Sequence, residues 1–388
     1  MKIVTITGIR PDFIRMSEVF KQLDEHPNIE HIMVHTGQHF DKLLSDVFFE
    51  DLNIRKPDYN LSSGGIGKDH YHVSGEASIK AVELIRKLNP DYVMFLGDAN
   101  TVSLCLSIKR DGWKIAHIEA GMRNGDEWMP EEINRIACNH VSNVLFAYHN
   151  DNRDNMLREN ISADRIHVVG NTIVEVCQPF IDKFKNIAKR EDFILVDIHR
   201  SENIGYGSME PVEHKLRNIV KYVNQCIEKY QLPAKMLKFG RTFRAIEKFN
   251  IDLGKIEVID LMGYNDFMEA QYHCKFMISD SGTAHEEPAL LNTPVVAPRR
   301  FTERPQSIKY HCSVMLNTDE EDISWDASHM FLEKWWNGTL RPNIDWLRLL
   351  QNAPRHCPNA RFYLEIFLQL PPIIWFLLIW KRKRKGQN

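Results

Sequence analysis

The chain has 388 residues, of which 26% are charged, and a formal net charge of −3. The length exceeds the usual size of one hydrophobic core, so two domains are expected, and the balanced charge excludes the basic bias of a nucleic-acid-binding protein. Seven cysteines without CxxC spacing and the lack of an apolar leader predict reduced cysteines in a cytoplasmic protein.

The first half of the chain alternates segments with strand and helix character. Residues 2–7 form a predicted strand, and residues 11–26 form a predicted amphipathic helix. Further strands are predicted at 32–35, 92–97, 115–118 and 144–147. This alternation predicts a Rossmann-like half with a parallel sheet.

Three acidic residues follow elements of this half closely. Asp98 and Glu119 each come directly after a predicted strand, and Glu131 lies in the first turn of a predicted helix that begins at Pro130. Ligands bind at the carboxyl edge of an open parallel sheet, so the three carboxylates are expected to meet in one cleft. Their convergence suggests proton-transfer chemistry.

The second half repeats the alternation. Strands are predicted at 193–199, 236–239, 256–260, 276–279 and 294–297, and a helical segment near 170–190 joins the halves. Two such halves leave a crevice between two sets of strand ends. A large substrate with two unlike parts would fit there.

Anion-binding features occur in both halves. The turn 281–283 consists of small residues that open a predicted helix, and such a turn offers backbone N–H groups to a phosphate. Glu287 lies one helical turn beyond Thr283, where it could accept hydrogen bonds from ribose hydroxyls. Arg10 follows the first strand and offers a planar fork for phosphate. The ligand expected from these residues is a nucleoside diphosphate, whereas the absence of GxGxxG and P-loop spacings argues against nicotinamide and P-loop proteins.

Each of these residues also has a structural interpretation. Asp98 and Ser281 are of the types that cap the helix following a strand. His199, after the first strand of the second half, is about as often a core or loop histidine as a functional one. Its expected position opposite the carboxylates favours function.

A series of short motifs runs along residues 1–316 in a fixed order. They are Gly8-Ile9-Arg10-Pro11, Thr36-Gly37-Gln38-His39, Gly97-Asp98, His117-Ile118-Glu119-Ala120-Gly121-Met122-Arg123, Pro130-Glu131-Glu132-Ile133-Asn134-Arg135, Gly170-Asn171-Thr172, His199-Arg200, Asp280-Ser281-Gly282, Glu286-Glu287 and Thr302-Glu303-Arg304-Pro305. The series resembles the non-hydrolysing UDP-N-acetylglucosamine 2-epimerases. The resemblance implies the GT-B architecture, with Rossmann-like domains at 1–170 and 171–345 and a divergent tail at 346–388.

The resemblance also implies the activity and the site. The family interconverts UDP-N-acetylglucosamine and UDP-N-acetylmannosamine by elimination and re-addition of UDP, without metal or redox cofactor, for polysaccharide precursors, and a homodimer is expected. The positions that match catalytic residues are Asp98, Glu119, Glu131 and His199. The positions that match substrate-binding residues are Arg10, Arg15, Phe267, Ser281, Gly282, Thr283, Glu287 and Arg304, with Phe267 near the uracil.

The chain departs from the family pattern at three places. Arg15 stands where the family usually has Lys, Met262 where many members have Gln, and 239–242 replaces a His-Pro element. The 281–283 sequence looks closer to the branch that acts on UDP-linked 6-deoxy-N-acetylhexosamines, which is the alternative substrate. Two other functions stay open, a GT-B glycosyltransferase and an inactive sugar-nucleotide-binding protein.

The C-terminus carries an apolar run at 373–380 followed by the basic segment 381–385. A weak membrane contact or anchor is one interpretation, and a divergent terminus is the other. As a helix the eight-residue run would reach only about 12 Å into a hydrocarbon core of about 30 Å. The run alone is therefore too short to span a membrane.

Overall fold

The computed structural model describes residues 1–37, 46–63, 70–126, 129–205, 212–319 and 323–347. Within them the chain builds two separate parallel sheets, of seven and six strands, with helices packed against both. The sequence prediction of two Rossmann-like domains is confirmed.

The first sheet has the strand order β3-β2-β1-β4-β5-β6-β7. Its strands are β1 (Lys2–Thr7), β2 (Glu30–His35), β3 (Tyr59–Asn60), β4 (Tyr92–Leu96), β5 (Ile115–Ile118), β6 (Val144–Ala147) and β7 (Ile166–Val168). Its helices are α1 (Arg10–Glu25), α2 (Asp46–Asp51), α3 (His70–Leu88), α4 (Leu104–Arg110), α5 (Pro130–Val141) and α6 (Asn150–Arg158).

The second sheet has the order β10-β9-β8-β11-β12-β13 and follows a linking helix, α7 (Ile173–Phe184). Its strands are β8 (Ile194–Asp197), β9 (Ala234–Leu237), β10 (Glu257–Ile259), β11 (Phe276–Ser279), β12 (Val295–Ala297) and β13 (Ser313–Met315). Its helices are α8 (Ser201–Ile204), α9 (Glu213–Tyr230), α10 (Gly240–Lys248), α11 (Tyr264–His273), α12 (Glu287–Leu290), α13 (Pro305–Lys309) and α14 (Ile323–Trp336).

The strands are apolar because both faces of each sheet are covered. In β1, Ile3 belongs to one hydrophobic cluster and its neighbour Val4 to another on the opposite face. In β4, Met94 and Val93 alternate between the same two clusters. Parallel strands covered by helices on both faces favour continuous apolar runs, which is the signal that located most of these strands.

Each sheet reverses its strand order at one place. The reversal lies between β1 and β4 in the first domain and between β8 and β11 in the second, and both pairs are parallel. Loops that leave adjacent strands at such a point diverge to opposite faces and open a crevice. The candidate site is therefore expected at these two crevices.

The two domains share packed and hydrogen-bonded contacts. Phe13 of α1, Ile173 of α7 and Leu290 of α12 belong to one hydrophobic cluster, which therefore crosses the domain boundary. Near the end of the described chain, Leu347 joins the same cluster and its carbonyl accepts a hydrogen bond from Asn171 N at 3.1 Å. The chain thus returns to the linking segment after completing the second sheet. The boundaries at 170 and 345 stay predictions.

Three short strands, β3, β7 and β13, were not predicted, because two or three residues carry too little periodicity to be recognised. Six cysteines lie in the described ranges, and all are buried and outside disulfides. The apolar and basic segments of the C-terminus lie outside the described residues. Among the residues that the structure does describe, no helix is long and apolar enough to cross a membrane.

Candidate active site

The predicted site residues leave the sheets at the two points of reversal. Arg10 follows β1, Asp98 follows β4 and Glu119 follows the neighbouring β5. In the second domain, His199 follows β8 and Ser281 follows β11. Residues as far apart in the sequence as Arg10 and Ser281 therefore lie at the carboxyl edges of the two sheets, and their contact with a substrate stays a prediction.

Glu119 is held by an unusual backbone conformation. Its φ of 67° lies in the left-handed region that residues with a Cβ rarely adopt. Gly121, two residues later, has a φ of 84°, and a Cβ at that position would collide with the backbone of Asn152. Such strain persists where the surroundings fix the backbone, and it is common in active sites. Here it directs the Glu119 side chain toward the second domain.

Four charged residues form a ring across the cleft, which we call the interdomain ring: Arg15 and Glu119 from the first domain, Arg304 and Glu286 from the second. Arg15 Nη1 donates to Glu119 Oε2, and Arg15 Nη2 donates to Glu286 Oε2 at 3.4 Å. Arg304 Nη2 donates to Glu119 Oε1 at 2.7 Å, and Arg304 Nε donates to Glu286 Oε1 at 2.5 Å. All four side chains are at least nine-tenths buried. Each guanidinium thus bridges two carboxylates from different domains.

Burial and pairing act in opposite directions on Glu119. Burial raises the pKa of the Glu119 carboxyl, whereas the charges of Arg15 and Arg304 lower it, and the net direction is upward. The negative charges of Asp98 and Glu286 add to the increase. A carboxylate with a raised pKa is a better proton acceptor at neutral pH than an exposed one.

Asp98 belongs to a second ion-pair group, confined to the first domain. Its Oδ2 accepts a hydrogen bond from Arg135 Nη2, and the same guanidinium donates through Nη1 to Glu132. Arg135 has no exposed side-chain surface, whereas a quarter (25%) of the Asp98 side chain is exposed. Asn134 Nδ2 also donates to the Asp98 carbonyl oxygen at 3.0 Å. Arg135 of α5 therefore fixes the position of Asp98, while part of the Asp98 side chain stays exposed.

Glu131 lies in the first turn of α5 and is half-buried. Burial raises the pKa of its carboxyl, and the charge of Arg200, on the second domain, opposes the increase. Asp98 is close enough to raise it further. The three predicted carboxylates are therefore electrostatically coupled through Asp98, as expected for residues around one reacting centre.

His199 is anchored by the acidic residues of its own domain. Its Nδ1 lies 2.8 Å from Asp197 Oδ1, and its backbone N donates to Asp280 Oδ1 at 2.9 Å. Burial alone would lower the pKa of His199, but the two carboxylates outweigh it and raise the pKa. Phe239 lies against the imidazole, with ring centroids 4.8 Å apart. The side chain keeps 34% of its surface exposed, so it can present Nε2 to a ligand in the cleft.

The turn 281–283 is shaped by charged neighbours. A Cβ on Gly282 would lie 2.9 Å from Glu303 Oε1, 3.0 Å from Arg304 Nη1 and 3.1 Å from Arg200 Nη2. Only glycine therefore fits without displacing that group. The helix that the sequence predicts after this turn is divided: a 3-10 turn covers Thr283–His285, and α12 begins at Glu287 with only four residues. The dipole at this turn is weaker than that of a long helix, so any diphosphate contact depends on local N–H groups and cations.

Glu287 is buried in the second domain at the start of α12. Its carboxylate accepts hydrogen bonds from Tyr264 OH and Gln271 Nε2, both at 3.1 Å, and burial raises its pKa to about 7. Arg10 from the first domain lies near enough for its charge to interact with Glu287, and its Nη2 donates to Met262 O at 3.4 Å. Glu287 and Arg10 thus interact across the domain boundary, and their contacts with a nucleotide stay predictions.

Phe267, predicted near the uracil, is half-buried on α11. Its ring packs against a small hydrophobic cluster of the second domain that includes Phe193 and Met277. This packing gives Phe267 a structural role, and its contact with a base stays a prediction.

Sequence reasoning left several site residues without a role. Glu286, Glu303, Arg135 and Arg200 all stand in the recognised motifs, and the structure places each in an ion pair with a predicted site residue or with another member of this set. Their motif membership was the available signal. Which partner each one takes is a tertiary property.

Comparisons with known proteins identify the family of the chain. Residues 21–340 match a family model described as UDP-N-acetylglucosamine 2-epimerase. A UDP-N-acetylglucosamine 2-epimerase of Methanococcus maripaludis is 34% identical over 343 residues, which cover 83% of this chain and 89% of that protein. A UDP-2,3-diacetamido-2,3-dideoxy-D-glucuronate 2-epimerase of Pseudomonas aeruginosa is 34% identical over 329 residues, which cover 83% of this chain and 90% of that protein.

A solved structure shows the same architecture. The crystal structure of the Methanocaldococcus jannaschii UDP-GlcNAc 2-epimerase in complex with UDP-GlcNAc and UDP is 29% identical and superposes with a TM-score of 0.79, covering 95% of this chain and 99% of that chain. The GT-B architecture is therefore confirmed. The chain belongs to the UDP-N-acetylglucosamine 2-epimerase family.

Proposed function

We propose that this protein epimerises C2 of UDP-N-acetylglucosamine, forming UDP-N-acetylmannosamine through elimination and re-addition of UDP. The observation that carries the proposal is the convergence of Asp98, Glu119 and Glu131 on one side of the cleft with His199 and Arg304 on the other. A glycosyltransferase would need the cations for the nucleotide but not three carboxylates around the sugar. Membership of the epimerase family also favours epimerisation.

The reaction explains why both kinds of residue are needed. The C2 hydrogen is hardly acidic, because no carbonyl is adjacent to C2. When the C1–O bond breaks, its electron pair leaves with UDP, and the C2 proton passes to a base while a C1=C2 double bond forms. Return of a proton to the opposite face of C2 and of UDP to C1 completes the inversion. The enzyme must therefore supply a base, stabilise the leaving phosphate and retain the glycal.

We assign the base to the carboxylates of the first domain. Asp98 is held by Arg135 from behind and keeps part of its carboxylate exposed, which suits the group nearest C2. Glu119 and Glu131, whose pKa values are raised by burial, share proton transfer and the binding of the C3 hydroxyl. Exchange of a proton on either face requires more than one such group.

We assign the nucleotide to the second domain. His199 and Arg304 neutralise the departing diphosphate together with the turn 281–283, and Glu287 and Arg10 face the ribose and its phosphate. The raised pKa of His199 keeps the imidazole cationic to higher pH, which suits a group that stabilises negative charge. Arg15 also has both η nitrogens on carboxylates, so a phosphate that binds it must compete with Glu119 or Glu286.

The test is an NMR assay of purified protein with UDP-N-acetylglucosamine in D2O. Elimination requires that the C2 epimer carry deuterium at C2 and that a 2-acetamido glycal and free UDP escape occasionally. Product that retains its original C2 hydrogen would contradict elimination and favour hydride transfer through a keto intermediate.

A panel of substrates that includes a UDP-linked 6-deoxy-N-acetylhexosamine and UDP-2,3-diacetamido-2,3-dideoxy-D-glucuronate identifies which sugar the enzyme epimerises. Glycoside formation with an added acceptor would support a transferase instead.

We also propose a cytoplasmic homodimer. Ile79, Leu106 and Ile133 lie on the packed helices α3, α4 and α5 and expose 64%, 45% and 56% of their surface. Large apolar side chains exposed on neighbouring helices favour association. Light scattering of the purified chain tests the dimer, and Ile79→Glu is expected to weaken it. Cell fractionation tests the location, including any membrane contact of the tail.

A further inference from the structure

Glu286 is a fully buried carboxylate at the junction of the domains. Its Oε1 accepts hydrogen bonds from Arg304 Nε at 2.5 Å and from Asn171 Nδ2 at 2.8 Å, and its Oε2 accepts one from Arg15 Nη2 at 3.4 Å. A charge that loses its hydration is stable only where donors and counter-charges replace the water. The three donors provide that replacement, and they come from both domains and from the linking segment.

The same two arginines hold Glu119. Arg15 and Arg304 each use one nitrogen for Glu286 and another for Glu119, so the two carboxylates share both partners without touching the same atom. A planar guanidinium offers several donors in fixed directions, which makes this double bridging possible. A displacement of Glu286 therefore turns both guanidinium groups and moves Glu119.

We propose that Glu286 is a positioning residue for the reaction: by fixing Arg15 and Arg304 it sets the location of Glu119 and the strength with which the two arginines hold it. The proposal rests on the proposed function, in which Glu119 takes part in proton transfer at the sugar. Glu286 acts through the interdomain ring, because both of its carboxylate oxygens accept hydrogen bonds from Arg304, Asn171 and Arg15.

The charge of Glu286 also acts on Glu119 directly. It raises the pKa of the Glu119 carboxyl, in the same direction as burial and opposite to the two arginines. The charged and titratable groups that interact with Glu119 are Arg15 on α1, Arg304 before α13, Asp98 after β4, Arg135 on α5, Tyr148 after β6 and Glu286 before α12. Removal of the Glu286 charge leaves the cations around Glu119 unchanged, so the pKa of Glu119 falls. If deprotonated Glu119 is required for turnover, the acidic limb of the kcat profile then moves to lower pH.

Two variants separate charge from shape. Glu286→Gln keeps the shape and removes the charge, and we expect kcat to fall by about 10- to 100-fold, the range for a small displacement of a reacting group. Its acidic limb is expected at lower pH, and its UDP affinity is expected not to weaken. Glu286→Asp keeps the charge but is too short to reach both arginines, so kcat falls while the limb stays near its wild-type pH. Asp111→Asn, which removes a carboxylate from the exposed Arg86 pair, is the matched control and should change neither quantity.

The pH profile distinguishes positioning from a simple effect on folding. The proposal would be overturned if both Glu286 variants lost the same fraction of kcat, in proportion to their lowered melting temperatures, while the acidic limb of the kcat profile stayed at its wild-type pH. A Glu286→Gln variant with wild-type kcat and an acidic limb at the wild-type pH would also overturn the proposal.

A measurement without substrate keeps this inference separate from the proposed function. In a double-mutant cycle, Glu119→Gln and Glu286→Gln are combined and the free energy of unfolding is measured. Non-additive effects are expected, because both residues act through Arg15 and Arg304. Additive effects would contradict the interdomain ring even if the enzyme epimerises UDP-N-acetylglucosamine, whereas coupling in a protein without epimerase activity would contradict only the proposed function.

Discussion

Arg304 Nη2 donates to Glu119 Oε1 at 2.7 Å across the cleft, so the cation predicted to bind phosphate already holds a carboxylate predicted to move a proton. The remaining nitrogens of Arg304 donate to Glu286 at 2.5 Å and to Glu303 at 2.6 Å. All three nitrogens of the guanidinium are thus engaged by carboxylates. A diphosphate that binds Arg304 must compete with one of them.

This competition predicts the effect of Glu119→Gln on nucleotide binding. Loss of the carboxylate releases part of Arg304, so UDP should bind more tightly than in the wild type while turnover falls. Calorimetric titration with UDP and the NMR assay measure the two effects. Asp98→Asn is the control, because its carboxylate pairs with Arg135 in the first domain. It removes the same charge from the cleft without releasing Arg304. Equal UDP affinity in the two variants would contradict the competition.

His199→Asn should lower turnover by roughly 10²-fold or more, a typical range for a positioned acid, base or electrostatic group. Asparagine can still donate a hydrogen bond but cannot carry the positive charge that Asp197 and Asp280 favour on the imidazole. Steady-state kinetics with the purified variant checks the loss, with circular dichroism as the control for folding. Normal turnover in the variant would show that His199 has only a structural role, in packing against Phe239.

The assigned nucleotide site predicts two losses of UDP affinity. Glu287→Ala removes the carboxylate that Tyr264 and Gln271 hold toward the ribose position. Gly282→Val introduces a Cβ within 2.9 to 3.1 Å of Glu303, Arg304 and Arg200, and so displaces both arginines from the turn. Calorimetry should show weaker binding in each variant. Unchanged affinity in both would show that UDP binds elsewhere.

Asp12 should make stability fall as the pH rises. Burial raises the pKa of its carboxyl to about 7, although Gly8 N and Ile9 N donate to it. Its pKa in the unfolded chain is about 3.9. The folded state therefore binds the proton more tightly, and this stabilising contribution is lost as the pH rises from about 4 through about 7. Asp12→Asn does not titrate, so its melting temperature relative to wild type should be higher at about pH 8 than at about pH 5. A difference that is the same at both pH values would contradict the raised pKa.

The sequence alone determined the architecture and supplied the candidate residues of the site. Strands such as Lys2–Thr7 and Phe276–Ser279 were located to the residue, because each is a short run rich in apolar and strand-favouring residues. The order of motifs then indicated the family, and strand ends placed Asp98 and Glu119 at the carboxyl edge of the first sheet and His199 at that of the second. These features follow from local periodicity and residue type, which the sequence displays directly.

The tertiary structure alone decided which charges are paired. Arg15 could equally have faced a phosphate, and Glu286 could have been another capping acid, since neither spacing nor residue type identifies a partner more than a hundred residues away. Only the approach of the two sheets brings Glu119 to Arg304 and Glu286 to Arg15. Once these groups are buried, the cost of an unpaired charge makes the pairing obligatory. The cleft chemistry therefore depends on contacts between domains that no local pattern encodes.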